Sequence, residues 1–258
     1  MSGTQIATQV LRPAYGFYLR AVFGRRGMPW CVNGEPLRID PRVRRFIPHE
    51  NELTLFRFLR AHMRPGEVVL DIGAFLGTYA IMAARWTGPA GRVLAFEPSP
   101  ATFEILQRHF LMNGLRAPRV QARCAAVGAK VERRVLKVFD AEPYRNQIVA
   151  GDHRNRSTAV DVTTVDSVCA AWTEPPDWIR MDVQGLEFDV LQGAREVIRT
   201  ARGRLKIIAE MHPEQWSEYG IKPGEVVERL AALGLRGRSV SDNDRPFSQD
   251  AHMILEYR

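Results

Sequence analysis

Four acidic residues lie at or near the ends of apolar runs that have the composition of buried strands. They close the first, second, fourth and fifth runs of one series, and they are Asp71, Glu97, Asp182 and Glu210. In an open α/β sheet a ligand binds beyond the carboxyl ends of the strands, where the strand order reverses. One such acid is as typical of a helix cap as of a binding site, but four in register favour a site. The pattern predicts a nucleoside-type cofactor held across the strand ends by carboxylates.

The loop after the first run narrows the choice of cofactor. It reads D-I-G-A-F-L-G from Asp71 to Gly77, without the G-x-G-x-x-G spacing of a dinucleotide site, and the chain has no Walker A pattern. An acid directly before the glycines repels a pyrophosphate but complements an amino group or a sulfonium. The small residues at 73, 74 and 77 allow a ligand close to the backbone. Since Glu97 is also placed to accept hydrogen bonds from ribose hydroxyls, these features favour S-adenosylmethionine over NAD or ATP.

The elements that must position these acids follow from the periodicity of the sequence. From about Pro65 onward, short apolar runs alternate with segments of helical period, which indicates an α/β fold with a mostly parallel sheet. Strands are predicted at Glu67 to Ile72, Arg92 to Glu97, Arg119 to Val127, Val131 to Phe139, Thr158 to Thr164, Trp178 to Val183, Leu205 to Met211, Gly237 to Val240 and His252 to Tyr257. Helices are predicted at Thr78 to Arg85, from a Ser99 cap to Asn113, along the apolar positions 188 to 198, and at Val226 to Leu233. The last two strands are predicted to pair as antiparallel edge strands, and Tyr144 to Arg156 to form a surface loop.

The first quarter of the chain carries the whole positive surplus. Up to Arg64 there are eleven arginines and four acids, a difference that equals the formal net charge of +7 for all 258 residues. We predict that residues 1–64 form a basic, helical extension that packs on the core as a substrate lid or cap. Its helices are expected at Pro13 to Phe23 and from an Asn51 cap through Met63. A solvated arginine-rich face is one interpretation, and recruitment of an anionic acceptor is the other, carried foremost by Arg25, Arg26, Arg44 and Arg45.

Composition argues against several classes of protein. The chain has no run of about 18 apolar residues, and its first segment is interrupted by Arg12, Pro13 and Arg20, so neither a membrane span nor a signal peptide is predicted. The three cysteines are widely spaced, which fits neither a disulfide framework nor a cysteine-rich zinc site. These observations predict a cytoplasmic protein.

Four motifs in this order resemble the FkbM family of S-adenosylmethionine-dependent methyltransferases. They are V-V-L-D-I-G-A-F-L-G-T-Y from Val68, A-F-E-P-S from Ala95, I-R-M-D-V-Q-G-L-E-F-D-V-L-Q-G-A from Ile179 and I-I-A-E-M-H-P from Ile207. The resemblance covers the chain from about Glu52 onward. It implies a Rossmann-like class I methyltransferase fold for residues 65–258: a mostly parallel, seven-stranded sheet with an antiparallel last strand and helices on both faces. It also implies methyl transfer to a hydroxyl oxygen of a sugar, glycolipid or secondary metabolite.

The resemblance assigns roles to individual residues. Asp71, Gly73 and Gly77 would line the methionine half of the cofactor, Glu97 would hold the ribose, and Pro98 and Ser99 would lie near the adenine. The remaining expected cofactor contacts are Ala74, Phe75, Thr78, Asp182 and Val183. Two positions depart from the family's usual pattern, because Phe75 stands where Asn is common and Gln184 stands where Glu is more frequent.

Methyl transfer to a hydroxyl requires an acceptor oxygen held in line with the sulfonium carbon and a group that takes the proton. Asp182 is the first candidate, and Glu210 with His212 is the second pair. A variant of this hypothesis has Asp182, Glu210 and His212 coordinate a divalent metal that lowers the pKa of the acceptor hydroxyl. The spacing does not establish such a site, so no metal ligands are predicted. A structural hydrogen bond is the alternative role for His212, and His49 and His252 are expected to be incidental.

Three other functions remain open from the sequence. A nucleic-acid methyltransferase would use the basic first quarter, but Asp182-Val183-Gln184-Gly185 replaces the N-P-P-Y-like loop expected of an adenine amino-methylating enzyme. A non-catalytic S-adenosylmethionine-binding module would share the same fold, and a nicotinamide oxidoreductase is disfavoured by the glycine spacing. The prediction is therefore a small-molecule or glycan acceptor, anionic if the arginines recruit it, with no nucleic-acid partner. The oligomeric state is left open.

Overall fold

The computed structural model describes residues 15, 17–139, 142–149, 157–201, 203–241 and 251–258. Within these ranges the strands are β1 (Met28–Val32), β2 (Glu35–Ile39), β3 (Val68–Ile72), β4 (Arg92–Phe96), β5 (Val120–Arg123), β6 (Ala126–Val127), β7 (Glu132–Lys137), β8 (Gln147–Val149), β9 (Ser157–Thr163), β10 (Trp178–Met181), β11 (Lys206–Met211), β12 (Leu235–Ser239) and β13 (Ala251–Tyr257). The α-helices are α1 (Leu53–His62), α2 (Thr78–Trp86), α3 (Pro100–Met112), α4 (Val165–Cys169), α5 (Glu187–Gln192), α6 (Arg195–Ala201), α7 (Pro213–Trp216) and α8 (Val226–Ala232). Short 3-10 helices span Pro41–Phe46, Pro143–Arg145, Ser217–Tyr219 and Pro223–Glu225. The chain is also helical at 15 and 17–23. Among these described helices, none is long and apolar enough to cross a membrane.

Seven strands from the described part of the chain form the central sheet, in the order β12-β13-β11-β10-β3-β4-β5. The strands from β11 to β5 run parallel, whereas β13 lies antiparallel to both of its neighbours. The strand order reverses between β3 and β10, which is where an open α/β sheet binds its ligand. This Rossmann-like topology, with the last strand antiparallel, confirms the predicted fold class.

Apolar clusters cover both faces of the sheet. One cluster joins α1, α2 and α3 to the sheet through buried side chains such as Leu55, Ile81 and Leu106. The cluster on the opposite face is formed with α5, α6 and α8, through Leu191, Ile198 and Leu230. Most of the apolar positions predicted at helical spacing are buried, whereas Leu53 at the start of α1 is 38% exposed.

One face of the sheet is apolar at its centre and carries charged side chains near the carboxyl ends of the parallel strands. Val69, Trp178, Ile208 and Ile254 pack into the cluster under α1 to α3. Residues two positions apart in a strand share a face. The same face therefore carries Asp71, Arg180, Glu210 and His252, of which Arg180 is the register partner of Asp71 and Glu210 that of His252.

A second sheet, in the order β6-β9-β7-β8 among the described strands, lies beside the carboxyl ends of the central strands. Leu136 and Ile148 from this sheet pack with Leu186, which follows β10. The second sheet therefore packs on the loop after β10, and the segment between β7 and β8 brings Tyr144 to the edge of the expected ligand site.

The basic first quarter makes specific contacts with the rest of the chain. Hairpin β1–β2, which was not predicted, is joined to α3 by hydrogen bonds from the Arg38 amide to Asn113 Oδ1 (3.0 Å) and from the Asp40 amide to His109 Nε2 (2.8 Å). Helix α1 packs edge-to-face through Phe56 on Trp86, with ring centroids 5.1 Å apart. Residues 1–14 and 16, which include part of the helix predicted from Pro13, lie outside the described residues.

Several predicted boundaries are wrong for identifiable reasons. The strand predicted from Arg119 to Val127 is two strands, because β5 joins the central sheet and β6 pairs with β9 in the other one. The helix predicted through positions 188 to 198 is broken at Gly193, where a Cβ atom would lie 2.0 Å from the Gly128 carbonyl oxygen. Glu52, and not Asn51, is the N-cap residue of α1, and it has no side-chain capping bond.

Two further predictions need correction. β13 is not an edge strand, since it pairs with β11 on one side and β12 on the other. The predicted loop from Tyr144 to Arg156 contains the short strand β8, and its residues 150–156 lie outside the described residues.

Candidate functional site

The loop after β3 is held close to the end of β10 by its glycine. Gly73 has a φ of +76°, and a Cβ atom there would lie 1.9 Å from the Asp182 carbonyl oxygen. Gly77 has a φ of +82°, and its Cβ would lie 2.3 Å from Leu106 Cδ1 of α3. The two glycines therefore allow close packing around the loop. Gly73 also lines both cavities at the strand ends, whereas Gly77 lines neither.

Two adjoining cavities open at the carboxyl ends of β3, β4 and β10. The larger has a volume of about 420 Å³ and lies between the β3 loop, the N-terminal segment and the end of β11. The smaller, of about 100 Å³, lies between the end of β4 and the second sheet. Both are lined by Gly73, Phe75, Tyr144, Asp182 and Gln184, so these five residues stand at the junction of the two cavities.

Glu97 lines the smaller cavity together with Pro98 and Val183. Its carboxylate accepts hydrogen bonds from the Phe75 amide (3.0 Å) and the Ser99 amide (2.9 Å). Burial raises the pKa of Glu97 to about 8, against the opposing effect of these two amides. Each carboxyl oxygen of Glu97 accepts one of these hydrogen bonds and keeps a further lone pair for a ligand hydroxyl group, as a ribose-binding acid requires.

Arg180 is buried at the centre of the site and was not among the predicted site residues. Its Nη1 donates to Asp71 Oδ1 (3.4 Å) and to the Gly73 carbonyl (3.3 Å), and its Nη2 donates to Asp182 Oδ2 (3.2 Å). The guanidinium also stacks 4.7 Å from the centroid of the Tyr79 ring. Arg180 therefore ties the ends of β3 and β10 together through charge-assisted hydrogen bonds.

Asp71 lies behind the cavity wall. It is fully buried, and burial raises its pKa while the charge of Arg180 opposes the increase. Its Oδ2 atom has no hydrogen-bond partner within the described part of the chain. Asp71 therefore has one carboxylate oxygen beneath the glycine loop that no described residue bonds. Its negative charge would complement a positively charged group of the cofactor above the loop.

His212 is held behind Gln184 and does not face the cavity. Its Nδ1 donates to Glu187 Oε1 (2.8 Å), and its Nε2 lies 3.0 Å from the Gln184 amide nitrogen. Burial lowers the pKa of His212, but Glu187 and the neighbouring acids raise it overall to about 9. The Gln184 amide nitrogen also donates to Asp182 Oδ1 (3.1 Å), so its contact with Nε2 requires a neutral ring and opposes the effect of the acids. Both ring nitrogens therefore have partners, and His212 positions Gln184.

A second group of titratable side chains stands on the opposite side of Glu210. His252 Nε2 lies 3.3 Å from Glu52 Oε1 and 3.5 Å from Glu210 Oε2. Burial raises the pKa of Glu210, and the charge of Asp182 adds to this effect. Burial lowers the pKa of His252, but Glu210 and Glu52 raise it overall to about 9. Glu52 and Glu210 line the larger cavity, whereas the His252 ring lies behind them.

Aromatic side chains form the opposite wall of the larger cavity. The Phe46 ring meets the rings of Phe75 and Tyr144 edge-on, with both centroid distances equal to 6.5 Å. Arg45 also lines this cavity, and its guanidinium lies 4.5 Å from the centroid of Phe46. The cavity therefore presents carboxylates on one side and flat apolar surfaces with an arginine on the other.

Backbone strain is concentrated around the same cavity. Glu52, Phe75 and Gln184 line it, and each has a φ between +43° and +53°. The left-handed conformation is unusual for residues other than glycine and costs of order 1–3 kcal/mol at each position. Asn tolerates it better than Phe, so the departure from the family pattern at Phe75 adds strain at the junction of the cavities.

The predicted site residues divide into two groups. Those that line a cavity are Gly73, Ala74, Phe75, Thr78, Glu97, Pro98, Asp182, Val183 and Glu210. Those that lie behind the wall are Asp71, Gly77, Ser99 and His212. Arg180, Glu52 and Tyr79 also belong to the site but were not predicted, and His252 was expected to be incidental. An arginine inside the apolar run W-I-R-M was the signal that could have identified Arg180, because a buried charge requires partners.

Comparison with known proteins identifies the family of this chain. A family model described as the methyltransferase FkbM domain matches residues 71–236, which include both cavities' strand-end acids. The chain is also similar to Methyltransferase 1 of Beauveria bassiana, with 26% identity over 145 residues that cover 48% of this chain and 57% of that protein. Methyltransferase sdnD of Sordaria araneosa is 22% identical over 193 residues, or 63% of this chain and 71% of its own. The chain thus spans little more than half the length of the first of these relatives.

A solved structure shows the same fold. A protein from Clostridium thermocellum that was named as an rRNA methylase superposes with a TM-score of 0.51, over 79% of this chain and 95% of its own. The two sequences are 11% identical. At this level of identity the likeness extends to the fold alone.

Proposed function

The chain belongs to the FkbM family of S-adenosylmethionine-dependent methyltransferases, and from that premise we propose that it methylates a hydroxyl oxygen of a sugar, glycolipid or secondary metabolite. Bound S-adenosylmethionine would supply the methyl group: the acceptor oxygen would bond to the methyl carbon as the C–S bond breaks, with S-adenosylhomocysteine as the leaving group and the hydroxyl proton passed to a carboxylate. The observation that carries the proposal is the larger cavity, where Asp182, Glu52 and Glu210 face the aromatic side chains. Carboxylates can accept hydrogen bonds and a proton from a hydroxyl, and aromatic rings give flat surfaces against which an acceptor ring can pack.

The cofactor would be held by residues of both cavities. Glu97, Pro98 and Val183 of the smaller cavity suit the adenosine half, because the Glu97 carboxyl can bond two ribose hydroxyls. Gly73, Ala74 and Thr78 of the larger cavity suit the methionine half. Asp71 and Asp182 supply the negative charge that a sulfonium and an ammonium require.

Asp182 is proposed to act on the acceptor. It lies at the junction of the cavities, and its side chain is 26% exposed, whereas His212 is 3% exposed. Arg180 and Gln184 each donate a hydrogen bond to it, which fixes the orientation of the carboxylate. A fixed carboxylate can hold the acceptor hydroxyl close to the reacting carbon and take its proton at or after the transition state.

The N-terminal segment is proposed to cap the acceptor. Arg45, Phe46, Asn51 and Glu52 all line the larger cavity, so residues before position 65 supply one side of it. Of the four arginines that the sequence analysis selected, Arg45 is the one that lines this cavity in the structure. An acceptor that carries a phosphate or carboxylate would place its charge against Arg45.

Binding of the ribose should depend on pH through Glu97. Its raised pKa of about 8 means that the carboxyl is mostly neutral below this pH, whereas the ionised form is the better acceptor for two ribose hydroxyls. We expect the affinity for adenosine, measured by calorimetry, to rise with pH up to about 8 and then level off. Adenosine keeps the ribose but lacks the amino acid, whose own titration would confuse the result. In Glu97→Gln the affinity should be lower and independent of pH, and a flat profile for the unaltered protein would remove Glu97 from this role.

Charge reversal at Arg45 should separate an anionic acceptor from a neutral one. With an anionic acceptor, Arg45→Glu should raise the acceptor KM and leave kcat nearly unchanged. The increase in KM should be largest at low salt, because salt screens the attraction between exposed charges. The matched control is Arg25→Glu, at an exposed arginine of the same segment that does not line the cavity. An equal effect of the two substitutions would show that only the overall charge of the segment matters.

The reaction itself is tested with S-adenosylmethionine that carries a ¹³C-labelled methyl group. The protein is incubated with a panel of hydroxylated acceptors, with and without phosphate, and with RNA and DNA fragments. The proposal predicts a labelled product whose methyl carbon resonates in the methoxy region. A methyl on nitrogen or on a ring carbon, or label in the nucleic acid, would contradict the proposal. Tight cofactor binding with no transfer to any acceptor would favour a non-catalytic module.

A further inference from the structure

Three residues from distant parts of the chain meet beside the larger cavity. Glu52 precedes α1, Glu210 lies in β11, and His252 lies opposite Glu210 in β13. Each offers one atom, and the three atoms lie within 4.8 Å of one another. We refer to Glu52, Glu210 and His252 as the lateral cluster.

The distances from His252 to the two carboxylates match those between neighbouring ligands of a metal ion. His252 Nε2 lies 3.3 Å from Glu52 Oε1 and 3.5 Å from Glu210 Oε2. Nitrogen and carboxylate ligands lie about 2.0–2.2 Å from a zinc-like cation, so neighbouring ligands of a tetrahedral site lie about 3.3–3.6 Å apart. The two distances from His252 therefore fit ligands around a common centre, and the two carboxylate oxygens lie within 4.8 Å of each other.

The three side chains are close enough for ion pairs, but no well-aligned hydrogen bond joins them. His252 Nε2 is a buried atom that has no hydrogen-bond partner among the described residues, although two carboxylate oxygens are near. The other oxygen of Glu52 is occupied, because Tyr79 Oη donates to Oε2 at 2.5 Å and the Asn51 side chain lies 3.4 Å from it. Glu52 Oε1 is therefore left facing the imidazole with its orientation fixed, as outer-shell hydrogen bonds fix the ligands of metal sites.

The charge at this end of the cavity also favours a cation. Asp71, Asp182 and Glu52 act on the guanidinium of Arg180, and Glu52 and Glu210 act on His252. Four carboxylates therefore lie near two cationic side chains, Arg180 and the protonated His252. A divalent cation that replaces the His252 proton would add one positive charge among these carboxylates, and buried carboxylates are stable when they are protonated or paired with a cation.

The neighbouring cluster of Asp182, Glu210 and His212 is a weaker candidate, although its atoms also lie close together. His212 Nε2 is already in contact with the Gln184 amide at 3.0 Å, and its distances to Asp182 Oδ1 and Glu210 Oε1 are 3.6 and 3.8 Å. A ligand nitrogen must present a free lone pair to the metal. The contact with Gln184 leaves none, so the metal hypothesis formed from the sequence moves from His212 to His252.

We infer that Glu52, Glu210 and His252 bind a divalent first-row transition-metal cation. Two carboxylates and one imidazole suit Zn²⁺, Mn²⁺ or Co²⁺, and two of the three ligands face the acceptor cavity. Binding of the cation does not depend on the reaction. Its role does rest on the proposed function, because a cation at this position would lower the pKa of an acceptor hydroxyl and so assist Asp182.

The test measures cation binding without cofactor or acceptor, so its outcome is independent of the proposed function. The full chain is treated with a chelator, dialysed and titrated with Co²⁺, whose visible absorption is strong in a tetrahedral site. The same sample is titrated with Mn²⁺ by calorimetry. We expect one site per chain, with affinity reduced by more than about 10-fold in His252→Gln and in Glu52→Gln, since loss of even an outer-shell partner commonly costs this much.

Two matched variants make the result decisive. His62→Gln alters an exposed histidine of α1 and should bind the cation as the unaltered protein does. His212→Gln should also retain binding. Thermal unfolding shows whether each variant is folded, and Glu52→Gln serves if His252→Gln is not. Absence of a site in the unaltered protein, or equal affinity in His252→Gln, would show that the lateral cluster is only a set of ion pairs. Loss of binding in His212→Gln with retention in His252→Gln would place the site on the other side of Glu210. Either result overturns the inference.

Discussion

Replacing Asp182 by Asn is expected to lower kcat by about 100- to 10,000-fold, the range that proton transfer by a positioned side chain contributes. The substitution keeps the shape of the side chain and, with the amide oxygen toward Gln184, one of its two hydrogen bonds, while it removes the charge that can accept a proton. The dissociation constant of S-adenosylmethionine should change far less, because Gly73, Glu97 and the other cofactor contacts remain in place.

The two quantities are measured separately, kcat at saturating cofactor and the dissociation constant by calorimetry. Asp161→Asn is the matched control, since Asp161 is 75% exposed in β9 and pairs with Arg133 on the surface. Its kcat should equal that of the unaltered protein. Equal losses of affinity and activity in Asp182→Asn, with normal turnover at saturation, would make Asp182 a cofactor-binding residue and not one that acts on the acceptor.

The largest effect on stability is expected from Arg180→Met. Arg180 is 6% exposed and balances Asp71 and Asp182 through direct contacts. Removal of one partner from a buried ion pair leaves an uncompensated charge and typically costs about 3–5 kcal/mol. We therefore expect the free energy of unfolding to fall by about this amount at neutral pH, measured by denaturant unfolding.

The pH dependence of this loss identifies its cause. Asp71 has a raised pKa, and once it is protonated it no longer needs a cation, so the difference between Arg180→Met and the unaltered protein should shrink as the pH falls. Arg199→Met removes an exposed pair with Glu196 and should leave the free energy of unfolding nearly unchanged. A small loss in Arg180→Met, or one that does not vary with pH, would show that packing and not charge makes Arg180 important.

The parallel core could be predicted from the sequence because its signals are local. The runs around Val68–Ile72 and Lys206–Met211 are apolar on both faces, as strands covered by helices must be. The acids at their ends then follow from the topology, since parallel strands end at the same edge of the sheet. For this reason the sequence alone predicts that Glu97, Asp182 and Glu210 lie at the same edge of the sheet.

The remaining site residues depend on long-range packing that no local pattern encodes. His252 faces Glu210 only because β13 inserts antiparallel between β11 and β12. Glu52 reaches the same place only because the N-terminal segment crosses the face of the sheet that carries Asp71 and Arg180. Hairpin β1–β2 was missed because each of its strands contains a proline, Pro29 and Pro36, and proline argues against a strand.

The two cavities are proposed to form one cofactor site whose reactive end lies beside Asp182. A crystal structure of the full chain with S-adenosylhomocysteine tests it most directly. We expect the ribose hydroxyls within hydrogen-bond distance of the Glu97 carboxylate, and the sulfur in the larger cavity on the side of Asp182 and Glu210. Adenosine bound away from Glu97, or a sulfur atom turned away from these carboxylates, would contradict the account.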